Sequence, residues 1–129
     1  MRKIFTLGIL LTFCALSTFA ISLADLMLVA DDGTFLGTFE SEYSKNSIYN
    51  QYGTYGTPYS AESIFNKYGN YGSDYSQYSP FNKYANNGPW LMDRRGNYYG
   101  RLSINKYAKG VTDYSYKLAF QLKVIRDSM

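Results

Sequence analysis

Two short apolar runs, each interrupted by a polar turn, are the clearest feature of the hydrophobic pattern. The first covers residues 26–39, with its turn at Gly33, and the second covers residues 90–102, with its turn at Gly96. Two β-prone runs joined by a glycine-containing turn are typical of a β-hairpin. The second run repeats the first at an offset of 63 residues. The pattern therefore predicts two similar hairpins.

We expect the two hairpins to form one small antiparallel sheet. Side chains two residues apart on a strand point to the same face of the sheet. By this spacing, the apolar face should hold four side chains: Phe35, Phe39, Tyr98 and Leu102. The predicted fold is mainly β, with much irregular structure between the hairpins.

Between the hairpins lies a tandem repeat with a period of sixteen residues, over about residues 43–91. Its frame is Ser-x-x-Asn-x-Tyr-Gly-x-Tyr-Gly-Ser/Thr-x-Tyr-Ser, which occurs at 47–60 and 63–76 and decays at 79–88. Glycine recurs too often for a helix, and glycine and proline interrupt any long strand. Ser and Asn side chains hydrogen-bond to nearby backbone and so favour turns. We therefore expect a tyrosine-rich turn region packed on the sheet.

Residues 111–129 carry two periodicities at once. Apolar and polar residues alternate over 114–124, as they do in a strand. A helical face would be formed by four residues: Tyr114, Leu118, Leu122 and Ile125. Thr112 or Asp113 is suited to cap such a helix at its N-terminus. The pattern alone leaves a C-terminal helix and a C-terminal strand both open.

The N-terminus has the three parts of a secretory signal peptide. Arg2 and Lys3 are basic, residues 4–16 are apolar, and small residues follow as far as Ala24. The apolar run is shorter than the ~20 residues that cross a bilayer comfortably. The expected organisation is a signal peptide at 1–24 (cleaved after residue 20 or 24), a hairpin–repeat–hairpin domain at 25–110, and a C-terminal element at 111–129. The expected location is secreted or periplasmic, with no stable membrane span after signal removal.

The composition argues against most kinds of catalytic site and against a nucleic-acid partner. Cleavage of the signal peptide would leave 11 basic and 10 acidic residues, a net charge of +1, which argues against a nucleic-acid partner. The chain has no His, and Cys14 lies within the predicted signal peptide. An imidazole base, a thiol nucleophile and the usual zinc site are therefore excluded. Glu40 and Glu42 are more simply solvated residues than a glycosidase pair, so we expect no enzyme, metal or cofactor.

The remaining candidate for function is an aromatic binding face. Flat rings beside Asn, Ser and Gln suit sugars, because each ring offers an apolar face and a polar end. The candidate residues are Tyr52, Tyr55, Tyr68, Tyr71, Trp90, Tyr98 and Tyr99. The alternative is that these rings form the protein's own core, since the repeat contains few Leu, Ile or Val residues.

The repeat frame also resembles that of a group of small exported bacterial proteins. These proteins carry Tyr/Gly/Asn-rich repeats between short hairpins, and no activity is established for them. Here the frame is preceded by Asp-Gly-x-Phe-Leu-Gly at 32–37 and followed by Arg-Gly-Asn-Tyr-Tyr-Gly at 95–100. The resemblance covers about Asp32 to Tyr107. It implies secretion from a bacterium.

These observations predict a secreted, non-enzymatic structural or interaction protein that uses its Tyr/Gly-rich repeat surface. The partner is unknown, and another protein or a second copy of the chain is expected before a glycan. The alternative is a module that binds glycan or cell envelope through exposed aromatic side chains.

Overall fold

The computed structural model describes residues 21–129. Most of the predicted signal peptide, residues 1–20, lies outside the described part of the chain. A single 3₁₀ turn at Leu23–Asp25 precedes four strands and one helix. These are β1 (Met27–Val29), β2 (Phe35–Thr38), β3 (Trp90–Met92), β4 (Tyr98–Arg101) and α1 (Asp113–Asp127). Within residues 21–129, none of the helices has the length and apolar content needed to cross a membrane.

The four strands form one antiparallel sheet in the order β2-β1-β3-β4. Each predicted hairpin is present, and the hairpins meet through β1 and β3. Leu28 lies opposite Leu91 at this junction, and both side chains are fully buried. The predicted small antiparallel sheet with much irregular structure is therefore confirmed.

The two hairpins repeat each other in backbone conformation as well as in sequence. The turn glycines Gly33 and Gly96 have φ values of 90° and 89°, and Gly37 and Gly100 have values of 116° and 119°. A side chain is rarely tolerated in this left-handed region, so glycine is required at these positions. The offset of 63 residues in the sequence therefore reflects two copies of one hairpin geometry.

The predicted apolar face is wrong at Tyr98. Leu102 and Phe39 are buried and Phe35 is half-buried, but Tyr98 is 61 % exposed. The register shifts within both hairpins, and such an irregularity breaks strict two-residue alternation. Three successive residues, Leu36, Gly37 and Thr38, are buried as a result.

The repeat is a succession of tight turns, as the sequence predicted. In the second copy, backbone hydrogen bonds recur every three residues, from the amides of Ser63, Asn66, Gly69 and Gly72 to the carbonyls three residues before each. Side chains reinforce these turns, because Ser63 Oγ accepts from the Phe65 amide at 3.1 Å. The turn region is thus held by local hydrogen bonds instead of a strand ladder.

The repeat packs on the sheet through one apolar position or two in each copy. Ile48 in the first copy, Ile64 and Phe65 in the second, and Phe81 in the third are all buried. They join the sheet leucines and α1 in a single hydrophobic core. The expectation that the turn region lies against the sheet is confirmed.

The C-terminal element is a helix, which settles the choice that the pattern left open. Thr112 caps it: its Oγ1 accepts from the Ser115 amide at 3.0 Å, and Ser115 Oγ accepts from the Thr112 amide at 2.9 Å. This reciprocal arrangement is a capping box with Ser in the third position. Leu118 and Leu122 face the core. The predicted face is wrong at its two ends, Tyr114 and Ile125, which are exposed.

Arg126 ties the end of α1 to the repeat. Its guanidinium donates to the Gly72 carbonyl at 2.6 Å, lies 2.7 Å from the Asp74 carboxylate, and sits 4.8 Å above the Phe81 ring. The Arg126 side chain is 3 % exposed. A planar guanidinium can make all these contacts at once, whereas an ammonium cannot. Residues 54 positions apart in the sequence are thereby fixed to each other.

We expect Arg126→Ala to lower the free energy of unfolding by about 3 kcal/mol, because it strips partners from a buried site. Arg126→Lys should lower the free energy of unfolding by roughly half as much, because lysine keeps the charge but lacks the planar set of guanidinium donors. Arg94→Ala is the matched control: Arg94 pairs with Glu40 at 3.3 Å in solvent, so its loss should cost about 0.5 kcal/mol or less. Urea unfolding measures all three, and equal effects at Arg126 and Arg94 would contradict the assignment.

Two glycines of one repeat copy should differ sharply in their tolerance of a methyl group. A Cβ at Gly72 would overlap the carbonyl oxygens of Ile64 and Asn66, whereas one at Gly69 would meet only the Asn66 side chain, at 3.1 Å. We expect Gly72→Ala to destabilise by roughly 3 kcal/mol and Gly69→Ala by about 1 kcal/mol or less. Thermal unfolding of the two variants distinguishes them, and similar melting temperatures would contradict the packing.

Candidate functional site: a row of exposed tyrosines

Seven tyrosines project into solvent, six of them in the turn region and one, Tyr107, after the second hairpin, in a segment (103–107) that resembles a shortened start of the repeat frame. Their exposed fractions run from 72 to 97 %, for Tyr43, Tyr52, Tyr59, Tyr68, Tyr75, Tyr84 and Tyr107. Large aromatic side chains are usually at least partly buried. So many exposed rings in one small chain are therefore a feature that its own packing does not explain.

All seven occupy the same kind of position. The backbone amide of each donates to the side-chain oxygen of the residue two positions earlier, at 3.0 to 3.4 Å. That residue is an asparagine before Tyr52, Tyr68, Tyr84 and Tyr107, and a serine or threonine before the others. The backbone that carries each exposed ring is thus fixed by a local side-chain hydrogen bond.

The asparagines are themselves held in place. Asn66 Nδ2 donates to the Ser60 carbonyl at 3.1 Å, six residues earlier, and Asn50 and Asn82 make the equivalent bonds at 3.2 and 3.1 Å. Asn105 reaches further, to the Ala85 carbonyl at 2.9 Å. Each asparagine therefore links two turns while it positions one tyrosine.

Five of the exposed tyrosines form a continuous series, which we call the tyrosine row: Tyr52, Tyr59, Tyr68, Tyr75 and Tyr84. Consecutive members line a shared groove, so the row lines four open grooves in succession. The spacing along the chain alternates between seven and nine residues. Each sixteen-residue repeat thus contributes two tyrosines and two grooves.

The four grooves share one chemical character, an aromatic wall with amide side chains beside it. Gln51 lines the first groove, Asn66 the second, Asn70 the third, and Gln77 both the third and the fourth. Apolar contacts come from below. They are supplied by Met129 in the first two grooves, by Phe65 in the second, and by Phe81 and Ile104 in the fourth.

The surface that carries the tyrosine row is close to electrically neutral. Residues 43–84 contain three lysines and two carboxylates. Asp74 is paired with Arg126, and the Lys83 ammonium lies 5.3 Å from the ring centroid of Tyr84. Arg126 and Lys123 also line the grooves, but each is paired with Asp127, whereas Lys67 lines the second groove. The net field that the grooves present to a charged ligand is therefore weak.

The tyrosines between the glycines of each repeat point inward. Tyr55 packs edge-on against Phe35, with ring centroids 5.0 Å apart. The Tyr71 hydroxyl donates to the Asp32 carboxylate at 2.7 Å and lies 3.0 Å from Thr34 Oγ1. The hydrogen bond from Tyr71 holds the pKa of Asp32 below its usual value. These two rings attach the repeat to the first hairpin.

The remaining aromatic candidates belong to the second hairpin. The Trp90 and Tyr98 rings lie 4.9 Å apart, and the Arg101 guanidinium stacks 4.1 Å above Trp90. The Tyr99 hydroxyl donates to the Asp93 carboxylate at 2.9 Å. These contacts hold the hairpin and its turn together.

The seven aromatic residues singled out from the sequence thus lie in three places. Tyr52 and Tyr68 are on the tyrosine row, Tyr55 and Tyr71 face the first hairpin, and Trp90, Tyr98 and Tyr99 lie on the second hairpin. The sequence analysis did not single out Tyr59, Tyr75 and Tyr84. Their signal is their position in the frame, either after Asn-x or directly before Ser or Ala.

No protein-family model, curated protein or solved structure matches this chain. Among residues 21–129, no three His, Cys, Asp or Glu side chains are grouped so as to hold a metal ion. What the surface can do chemically therefore follows from the tyrosine row and its amide neighbours.

Asp93 should make the second hairpin sensitive to acid. Hydrogen bonds from the Asn97 side chain and backbone, the Tyr99 hydroxyl and the Arg95 amide lower the pKa of Asp93 to about 2. A depressed carboxyl pKa stabilises the folded state above about pH 4, and this stabilisation is lost as the pH falls towards about 2. Asp93→Asn should therefore reduce stability near neutral pH, with a difference from wild type that shrinks over that interval.

Urea midpoints measured as a function of pH test this expectation. Asp25→Asn is the control, because the Asp25 carboxylate is exposed at the start of the described chain. A difference between Asp93→Asn and wild type that stays constant from neutral to acidic pH would contradict it.

Proposed function

We propose that this chain is a secreted, non-enzymatic interaction module that contacts an extended partner through its tyrosine row. The observation that carries the proposal is the combination of full exposure and fixed position. Five rings in succession are 72 to 97 % exposed, and the backbone of each is tied by a side-chain hydrogen bond.

The folded chain does not need these rings for its own stability. Burial in each repeat is supplied by Ile48, Ile64, Phe65 and Phe81, and the turns are closed by Ser and Asn. Any polar residue would serve an exposed position equally well. A large aromatic side chain there gains free energy only when something covers it.

The chemistry of the row is that of a recognition surface. Tyr offers a large contact area with few rotatable bonds, and neighbouring Ser, Gly and Asn supply adaptable hydrogen bonds. Rings presented by a fixed backbone lose little conformational entropy on binding, so more of the contact energy appears as affinity. Another exported protein, a second copy of the chain or a glycan would meet these requirements.

Sequence chemistry supports a binding role over a catalytic one. The chain has no His, and its single Cys is Cys14. Glu40, one of the two carboxylates considered for catalysis, is engaged by Ser44, Thr38 and Arg94, and these hydrogen bonds lower its pKa. A carboxyl with a depressed pKa is a poor general acid or base near neutral pH.

Three substitutions in one chain, Tyr52→Ser, Tyr68→Ser and Tyr84→Ser, separate binding from folding. Because surface changes usually cost less than about 0.5 kcal/mol each, we expect the variant to keep its melting temperature within a few degrees. We expect the variant to lose self-association, measured by sedimentation of the full chain over a concentration series. We also expect it to lose binding to the cell-envelope and extracellular-polymer fraction of the cells that produce it.

Tyr55→Ser is the contrasting variant, since Tyr55 packs on Phe35. It should lower the melting temperature and leave association per folded molecule unchanged. The proposal fails if the triple variant unfolds as Tyr55→Ser does, or if it associates as strongly as wild type.

A further inference from the structure

We propose that the occupant of the tyrosine row is a linear, uncharged polysaccharide that lies across the four grooves in succession. This inference rests on the proposed function and names the class of partner. It follows from the repetition of the site, from the chemistry of each groove, and from what the grooves lack for other polymers.

The site repeats, so the ligand that fits it best repeats too. Two neighbouring grooves always share a tyrosine: Tyr59 belongs to the first and second, Tyr68 to the second and third, and Tyr75 to the third and fourth. Each groove offers the same combination of ring and amide. A globular protein of unrelated sequence has no such periodicity on its surface, whereas a polymer presents one unit to each groove and gains affinity with each contact.

Each groove matches a pyranose ring in polarity. A sugar has a face of C–H groups that packs on an aromatic ring and an edge of hydroxyls that needs donors and acceptors. The groove between Tyr68 and Tyr75 has Asn70, Ser73 and Gln77 beside the rings. An amide side chain both donates and accepts, which suits a hydroxyl better than it suits an ion. The grooves are open to solvent, with volumes of about 330 to 650 Å³, so one unit of a longer chain can lie in each.

An extended peptide finds no free backbone edge here. Turn bonds recur at every third residue of the row, as at the amides of Asn66, Gly69 and Gly72, so the row offers no continuous strand edge. The outer edges of the sheet are also partly paired. The Thr38 backbone amide donates to the Asn46 carbonyl at 2.8 Å, and the Arg101 backbone amide donates to the Gly110 carbonyl at 2.7 Å. Recognition of a peptide by strand addition needs such an edge to be open.

A nucleic acid or another polyanion is disfavoured by charge. Two of the four cations that line the grooves, Lys123 and Arg126, are paired with carboxylates, whereas single-strand binding grooves combine aromatic rings with a strongly basic track. The charge therefore matches an uncharged chain of hexoses or N-acetylhexosamines.

The grooves are held at fixed positions relative to one another, which a binding site for a polymer requires. Arg126 lines the second groove and joins the Gly72 carbonyl, Asp74 and the Phe81 ring. Asp74 and Phe81 in turn line the fourth groove. Met129, three residues after Arg126, lines the first and second. The end of α1 thus lies along the row and fixes successive grooves relative to one another, so that several sugar units bind at once without further ordering.

Calorimetric titration of the protein, purified in the form in which the cell exports it, tests the proposal. The probes are two series of oligosaccharides with two to six units, one of β-1,4-linked glucose and one of β-1,4-linked N-acetylglucosamine, with polygalacturonate as the charged comparison. We expect at least one uncharged series to bind, with an affinity that rises about tenfold or more from dimer to hexamer. The two series distinguish a hexose polymer from an N-acetylhexosamine polymer.

Tyr68→Ala and Tyr107→Ala are the matched variants. Both tyrosines are exposed and follow an asparagine by two residues, but Tyr68 lines two grooves and Tyr107 lines none of the four. Tyr68→Ala should weaken hexamer binding about tenfold, and Tyr107→Ala less than about twofold. Circular dichroism should show both variants folded, since neither side chain is buried.

Three outcomes would overturn the inference: no binding in either uncharged series, equal affinity for dimer and hexamer, or equal effects of the two substitutions. Binding of polygalacturonate alone, lost at high salt, would overturn it as well. If the sugars fail while the triple tyrosine variant still loses association, the choice of polysaccharide is wrong and the interaction module stands. If the triple variant also associates normally, both proposals fail.

Discussion

One side chain, the asparagine of each repeat, holds two turns together. Asn66 donates to a carbonyl six residues before it and accepts from an amide two residues after it. Asn50 and Asn82 do the same in the adjacent copies. A turn region without strand ladders must satisfy its buried backbone groups locally, and this amide is the group that does so. The spacing of six and two also fixes where the next tyrosine emerges.

Two constraints turn these linked turns into a surface with a fixed geometry. From below, Ile64, Phe65 and Phe81 bury one side of the repeat in the sheet core. From the side, Arg126 reaches from the last turn of α1 to the backbone at Gly72. Because both constraints act on the inner side, the outer tyrosines are left without a structural task. The proposed binding role follows from this division between inward and outward residues.

The alternation of tyrosines within one repeat shows how close the sequence comes to specifying the site. Tyr68 and Tyr71 are three residues apart, yet one is 96 % exposed and the other bonds to Asp32. A helix or a strand has a period that predicts which side chains share a face. A succession of turns has no such period, so a spacing of three residues does not show whether two side chains point the same way. The seven aromatic candidates taken from the sequence therefore include residues of both kinds and omit Tyr59, Tyr75 and Tyr84.

The sequence by itself determined the local structure: two hairpins at an offset of 63 residues, a series of turns that repeats every sixteen residues, and a capped C-terminal segment. These features depend on Gly, Ser and Asn preferences that act over a few residues. Only the tertiary structure decided that α1 is a helix, that Tyr98 faces solvent, and that five tyrosines share four grooves. The helix packs Leu118 and Leu122 into a core built from distant residues, and the register shift of the second hairpin turns Tyr98 outward. The grooves are held by contacts such as Arg126 with Gly72, which no local pattern encodes.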